Sequence, residues 1–169
     1  SAPGVTGDAI HFATIVADSV EPRTRKALTD VLEVYFDQKN TETRNETRRA
    51  EHAPWHKEWA MAYYRKWVLH VWELKGPPGT WRDQLESRYR TQPVFAVLSG
   101  VVPGDWQPMH DFCEKFKLNC VFPATDLPVI NENDFYSIYF SRGMALEAEA
   151  IVQHLSDTDR AATPVLQVF

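Results

Sequence analysis

Apolar positions along this chain change their period several times, and each change marks a structural element. Residues 9–17, AIHFATIVA, form a short, mostly apolar run rich in β-branched residues, which predicts a strand; Asp-Ser-Val-Glu-Pro then signals a turn and a helix start. From Thr24 onward Leu28, Val31, Leu32, Tyr35 and Phe36 recur at spacings of three and four, with Arg25, Lys26, Asp30, Glu33 and Asp37 falling elsewhere, the signature of one amphipathic helix. Residues 41–66 are charged at first and aromatic later, without a clean period, and Pro54 interrupts any single helix across them. A second strand is expected at 67–74, WVLHVWEL, closed by Lys-Gly-Pro-Pro-Gly. Thr80 then reads as the cap of a helix, with Asp83 at its third position and Trp81, Leu85 and Tyr89 buried.

After Gln92-Pro93 the run VFAVL, residues 94–98, predicts a buried strand that breaks off at Ser99-Gly100. The next helix starts at Asp105-Trp106 and places Trp106, Met109, His110, Cys113 and Phe116 on one face. LNCVFPATDLP contains a fourth strand, stopped by Pro123, and FYSIYFSRG leads into a helix over 143–156 with Met144, Ala148, Ile151, Val152 and Leu155 on one side. PVLQVF, residues 164–169, reads as a further strand. Strands alternating with helices predict an α/β fold, a three-layer sandwich with a mostly parallel sheet covered on both faces. In such sheets ligands bind beyond the carboxyl ends of the strands, so the soft ending at Ser99-Gly100 falls where function is usually found.

Composition narrows the function classes. With 169 residues, 44% hydrophobic and 24% charged, the chain has the balance of a globular domain with a substantial core. Its formal charge of -5, from 18 basic and 23 acidic residues, lacks the basic footprint that nucleic acid requires, and no apolar run reaches the roughly 20 residues of a membrane span. The small, turn-rich opening Ser-Ala-Pro-Gly-Val-Thr-Gly carries no charged or apolar leader, as expected of an exported chain whose signal has been removed or of a trimmed cytosolic one. Cys113 and Cys120, the only two cysteines, lie seven apart across a helix end and a strand start, a spacing open to either a disulfide or two buried thiols.

The common catalytic signatures are absent: there is no Cys-x-x-Cys-His for haem, no GxxxxGK[ST] for phosphates and no GxSxG elbow. His52 and His56 have a metal-compatible spacing, but Pro54 lies between them and no third ligand is near in sequence, so the expectation is no metal and no cofactor. Asn45-Glu46-Thr47 matches the glycosylation triplet, a pattern frequent by chance. The aromatic cluster Trp55, Trp59, Tyr63, Tyr64, Trp67 and Trp72 reads chiefly as packing, with ligand or partner stacking as the alternative. Ser99 to Val102 offer backbone N–H groups and a hydroxyl to a small anion, Gly100 letting it approach the main chain, unless the segment is a plain strand-to-helix turn. Pro123 to Pro128 follow the next strand and so lie beside that loop, with Thr125 and Asp126 either binding ligand or capping a turn.

The order of the segments RKALTDVLEVYFDQKN, VFAVLSG, HDFCEKFKLNCVFPATDLP and DFYSIYFSRGMALEAEAIVQHL resembles type I periplasmic substrate-binding proteins of the branched-chain amino acid branch, over most of residues 9–40 and 65–169. The resemblance implies a binder rather than an enzyme: the first of two α/β lobes, spanning residues 1–140, with 141–169 as a crossover helix and strand beginning a truncated second lobe. It implies a periplasmic protein of an ABC-type uptake system, holding a small amino-acid-like or carboxylate ligand in a cleft and meeting a membrane transporter or a periplasmic partner. By the same resemblance Ser99 and Gly100, with Val101, would hold the ligand's carboxylate, Ala124 and Asp126 its ammonium, and Tyr136 and Tyr139 would lie at the approach to the crossover. Asp126 stands where the family has Thr, and the family's Gly-Gly turn is replaced by the segment 41–64. The alternative expectation is a non-catalytic structural or interaction subunit on this fold, docking a partner such as a redox protein through residues 41–64; a metal- or flavin-assisted enzyme ranks third.

Overall fold

A computed structural model describes residues 2–51 and 65–157. In chain order these residues form β1 (Ala9–Ala17), α1 (Pro22–Glu51), β2 (Lys66–Leu74), a 3₁₀ turn (Pro78–Thr80), α2 (Trp81–Thr91), β3 (Ala96–Val101), α3 (Gln107–Phe116), β4 (Asn119–Val121), β5 (Ser137–Ile138) and α4 (Met144–Asp157). The five strands make one all-parallel sheet in the order β2-β1-β3-β4-β5. The α/β expectation is met, and every described strand is parallel. The histidine pair 52/56, Trp55, Trp59, Tyr63, Tyr64 and the strand expected at 164–169 lie outside the described residues.

The main core lies on one face of the sheet. Ala13, Ile15 and Ala17 of β1, Trp72 and Leu74 of β2, Val97 and Cys120 pack there against Trp81 and Leu85 of α2 and Met109, Phe112 and Cys113 of α3. Odd positions of β1 therefore face α2 and α3. Phe12 faces the other way and meets Phe36 of α1, with Trp67 and Leu69 of β2 around them. Trp67 and Trp72 accordingly serve as packing residues.

α1 begins with Pro22, whose fixed φ suits a first turn, and runs 30 residues, through 41–51 as well. No Pro or Gly interrupts TETRNETRRAE, so a segment without apolar period continues a helix already nucleated. Its buried line is narrower than its apolar stripe: Leu28 and Leu32 are half-buried and Phe36 is buried, whereas Val31, Val34 and Tyr35 are exposed. Farther along, the Asn40 carboxamide donates to Trp67 O at 2.9 Å and accepts from Trp67 N–H at 2.8 Å, pairing with the outer edge of β2 like a short strand.

Thr80 does not act as the expected helix cap. Its own backbone is already helical and its hydroxyl donates to Pro77 O at 2.9 Å instead, closing the 3₁₀ turn. At α3, by contrast, Asp105 Oδ1 accepts the Gln107 N–H at 2.9 Å, so the helix starts one residue after Trp106, where Pro108 also fits the first turn. Cys113 and Cys120 form a disulfide between α3 and β4, both cysteines lying in the core.

Candidate functional site

The strand order reverses direction between β1 and β3, the place in parallel α/β sheets where ligands generally bind, beyond the carboxyl ends of the strands. β3 carries a bulge there: Ala13 pairs with Val97 and Ile15 with Gly100, so Thr14 alone faces both Leu98 and Ser99. Ser99 takes the left-handed conformation, φ 57°, that L residues generally avoid. Thr14 is fully buried, and its Oγ1 has no hydrogen-bond partner among the described residues. The soft ending of the strand is thus a strained bulge next to an orphaned buried hydroxyl.

Gly100 has a different role from the open approach expected of it. A Cβ there would stand 2.7 Å from Trp106 Cη2 and 2.8 Å from Ile15 O, so the space of its missing side chain is taken by the Trp106 indole. Its carbonyl accepts the Ala124 N–H at 2.9 Å, which fixes the loop after β4 against the loop after β3. Val101 is half-buried and paired with Val16. The structure therefore brings Ser99, Gly100, Val101 and Ala124 together.

The loop after β4 begins with Phe122, also left-handed at φ 57° and 54% exposed, a costly conformation for a bulky side chain. Phe122 meets Phe140 edge to face, with ring centroids 6.3 Å apart, and Phe140 is 88% exposed, so an uncovered aromatic pair stands on this rim. Thr125 Oγ1 accepts the Leu127 N–H at 3.2 Å, the side-chain-capped turn weighed as its bland alternative. The Asp126 side chain is exposed, and its carbonyl accepts the Met144 N–H at 3.0 Å, tying the first turn of α4 to the loop. Tyr136 lies elsewhere: its carbonyl accepts the Cys120 N–H and its N–H donates to Glu114 Oε1, which places it at the amino end of β5.

A polar cluster that sequence reasoning did not single out sits beside β5. His110, 2% exposed, is 2.8 Å from the Tyr139 hydroxyl at Nδ1 and 2.7 Å from Asp134 Oδ2 at Nε2. Burial, opposed by the Val129 main chain and reinforced by the charges of Glu114, Asp105 and Asp134, raises the Tyr139 pKa above the ordinary tyrosine value, so the phenol keeps its proton. Tyr139, His110 and Asp134 thus form one continuous chain of hydrogen bonds through both ring nitrogens. The three residues line a cavity of about 370 Å³ with Ser137, Asn131 and Arg142. The one sequence signal was a histidine on the apolar face of an amphipathic helix. Its partners come from a loop with no period of its own.

With both ring nitrogens of His110 engaged, this chain of hydrogen bonds serves to anchor the 128–139 segment on α3. Tyr139→Phe should cost about 1–3 kcal/mol of stability, because it leaves a buried ring nitrogen without a partner. Urea unfolding checks this, and a variant as stable as the parent would remove the anchoring role.

Among the described residues no group of three or more His, Cys, Asp or Glu converges to hold a metal ion, and no helix is long and apolar enough to cross a membrane. No family model matches the chain, and neither a curated protein nor a solved structure matches it.

Proposed function

We propose that this chain is a ligand-binding lobe of a periplasmic solute-binding protein of type I, part of an ABC-type uptake system, and that it takes a small amino-acid-like or carboxylate ligand at the carboxyl edge of its sheet. The observation that carries the reading is the strained Ser99 bulge opposite Thr14 in the ladder, a buried residue whose hydroxyl has no partner among the described residues, with a second loop held alongside by the Gly100–Ala124 hydrogen bond. Strained backbone of this kind collects at binding sites, where the surrounding structure holds it in place.

Ser99 supplies a hydroxyl for a carboxylate, the Asp126 carboxylate can pair with an ammonium, and the exposed Phe122–Phe140 pair offers apolar surface to a side chain. The Cys113–Cys120 disulfide supports an oxidising compartment such as the periplasm. A second reading, a subunit that docks a partner protein through α1 and residues 41–64, is favoured by the exposed row Val31, Val34 and Tyr35.

NMR titration of the ¹⁵N-labelled chain with the standard amino acids and small carboxylates distinguishes the two. The binding reading expects one chemical class to shift amides of residues 99–101 and 124–126, and Ser99→Ala to weaken that ligand roughly ten- to a hundredfold, the worth of one hydrogen bond to a charged group. Silence at both loops across the whole panel would sink it and favour the docking subunit.

A further inference from the structure

His11 on β1 and His70 on β2 lie on the α2/α3 face of the sheet, because β1 and β2 run in parallel register with Ala13 opposite His70. His11 Nδ1 and His70 Nε2 stand 2.9 Å apart, with ring centroids 5.2 Å apart and an interplanar angle of 19°. This is the head-on geometry of an N–H···N hydrogen bond, in which one nitrogen carries the proton and the other presents its lone pair. Both residues are half-buried, so the rings meet partly out of water.

Such a bond accommodates one added proton but not two. The first goes to an outer nitrogen, His11 Nε2 or His70 Nδ1, and the facing nitrogens still share a single N–H. A second has no place except between the rings, where two N–H groups and two imidazolium charges would confront each other at 2.9 Å, so the pair must part. The surroundings do not compensate for this charge. On α2, Arg88 borders the same cleft as His70, with the uncharged Ser87, Thr91 and Gln92, while Glu86 is paired with Lys115 and Arg90. On β2, Lys66 shares the face of His70, and Glu73 is paired with Arg25. Before β1, Asp8 accepts from the Thr6 hydroxyl, and the segment 92–95 that bonds to the His11 carbonyl is uncharged. Among the described residues neither ring is ion-paired with a carboxylate.

We propose that the His11–His70 bond is an acid-sensitive latch, which ties β1 to the edge strand β2 at neutral pH and releases it on double protonation. Trp67, the residue that Asn40 of α1 grips, pairs with Ile10 beside His11, so the release extends to the docking of α1. Burial, and then the neighbouring His11, lower the His70 pKa from the ordinary histidine value. The unfolded chain therefore binds the proton first. The latch contributes fully above the ordinary histidine value of about 6.5, weakens as pH falls through it, and the loss levels off below the folded-state pKa.

The test is amide hydrogen exchange of the whole chain, corrected for the intrinsic rate at each pH. Protection at Val68 and His70, whose N–H groups point to β1, should fall more than about tenfold between about pH 7.5 and about pH 5, well beyond any fall at Val97 between β1 and β4. His70→Gln leaves His11 a polar neighbour that does not titrate, and should reduce this acid loss to less than about twofold. Should that variant fold poorly, imidazole ¹⁵N resonances of the parent protein read the latch directly: the two rings should titrate as a coupled pair, the last step coinciding with the loss of protection. An equal fall across the whole sheet, the same acid loss in His70→Gln, or two rings titrating independently at the ordinary histidine value would overturn the proposal.

Discussion

Trp106→Ala is expected to lower the unfolding free energy by about 3–5 kcal/mol, the range for deleting a buried large aromatic side chain. Trp106 is 1% exposed, belongs to the main core, and fills the space beside Gly100 that a side chain would otherwise take. The reciprocal change, Gly100→Ala, should cost about 3 kcal/mol. Its methyl would meet Trp106 Cη2 at 2.7 Å and the carbonyl of Ile15 at 2.8 Å, and φ is 143°, which L residues rarely adopt. The ring can shift only by disturbing its core neighbours, and the carbonyl belongs to β1, which is paired on both sides.

The two changes should not add. On the Trp106→Ala background the ring clash is gone while the Ile15 contact and the φ strain persist, so Gly100→Ala should cost less there than on its own. Denaturant unfolding of the two single variants and the double variant measures the coupling. Additive losses, or a Gly100→Ala variant as stable as the parent, would mean that the ring does not occupy that space.

Removing the disulfide gives the second large effect. Cys113 and Cys120 close a loop with a sequence separation of seven, for which chain entropy alone predicts about 2.5 kcal/mol. The neighbouring strands raise its importance: β4 has three residues and β5 two, so this side of the sheet has few ladder hydrogen bonds of its own. Cys113→Ala/Cys120→Ala should lose about 2–4 kcal/mol, and hydrogen exchange should speed up first at Cys120, Phe122 and Ala124, whose amides bond to Tyr136, Ile138 and Gly100. Because β4 sets the position of the Ala124–Asp126 loop, the same variant should bind the Ser99-site ligand more weakly. Stability and exchange equal to the parent would show that packing alone holds β4 in place.

The elements with strong periods were legible. AIHFATIVA, WVLHVWEL and the helix of Met109 and Cys113 lie close to where their patterns put them, because each buries a full face and the pattern records that burial. α1 ran past its predicted end, since charged helix formers carry no apolar signal yet continue a helix without difficulty. Val31 and Tyr35 matched the stripe but stay exposed, because the described part of α1 buries only the line through Leu28, Leu32 and Phe36. At the candidate site, the meeting of Ser99 with Ala124 followed from the order of parallel strands. The role of Gly100 did not, since a glycine looks the same in sequence whether it admits a ligand or a tryptophan ring. The His110–Asp134–Tyr139 chain joins residues up to 29 positions apart across an irregular loop, and no local pattern encodes it.

The Asn40 clamp on β2 has a consequence for assembly. Even residues of this edge strand point their main-chain groups at β1, as the Lys66 N–H to Asp8 O and Asp18 N–H to Leu74 O bonds show, so the odd residues point outward. At the first of these Asn40 occupies both the N–H and the C=O of Trp67, and at the last Arg88 donates to Glu73 O at 2.7 Å. Among the described residues the outward groups of Leu69 and Val71 and the N–H of Glu73 are left, too little to template an incoming chain. On this side the described residues thus offer an incoming strand of a second copy little main chain to pair with.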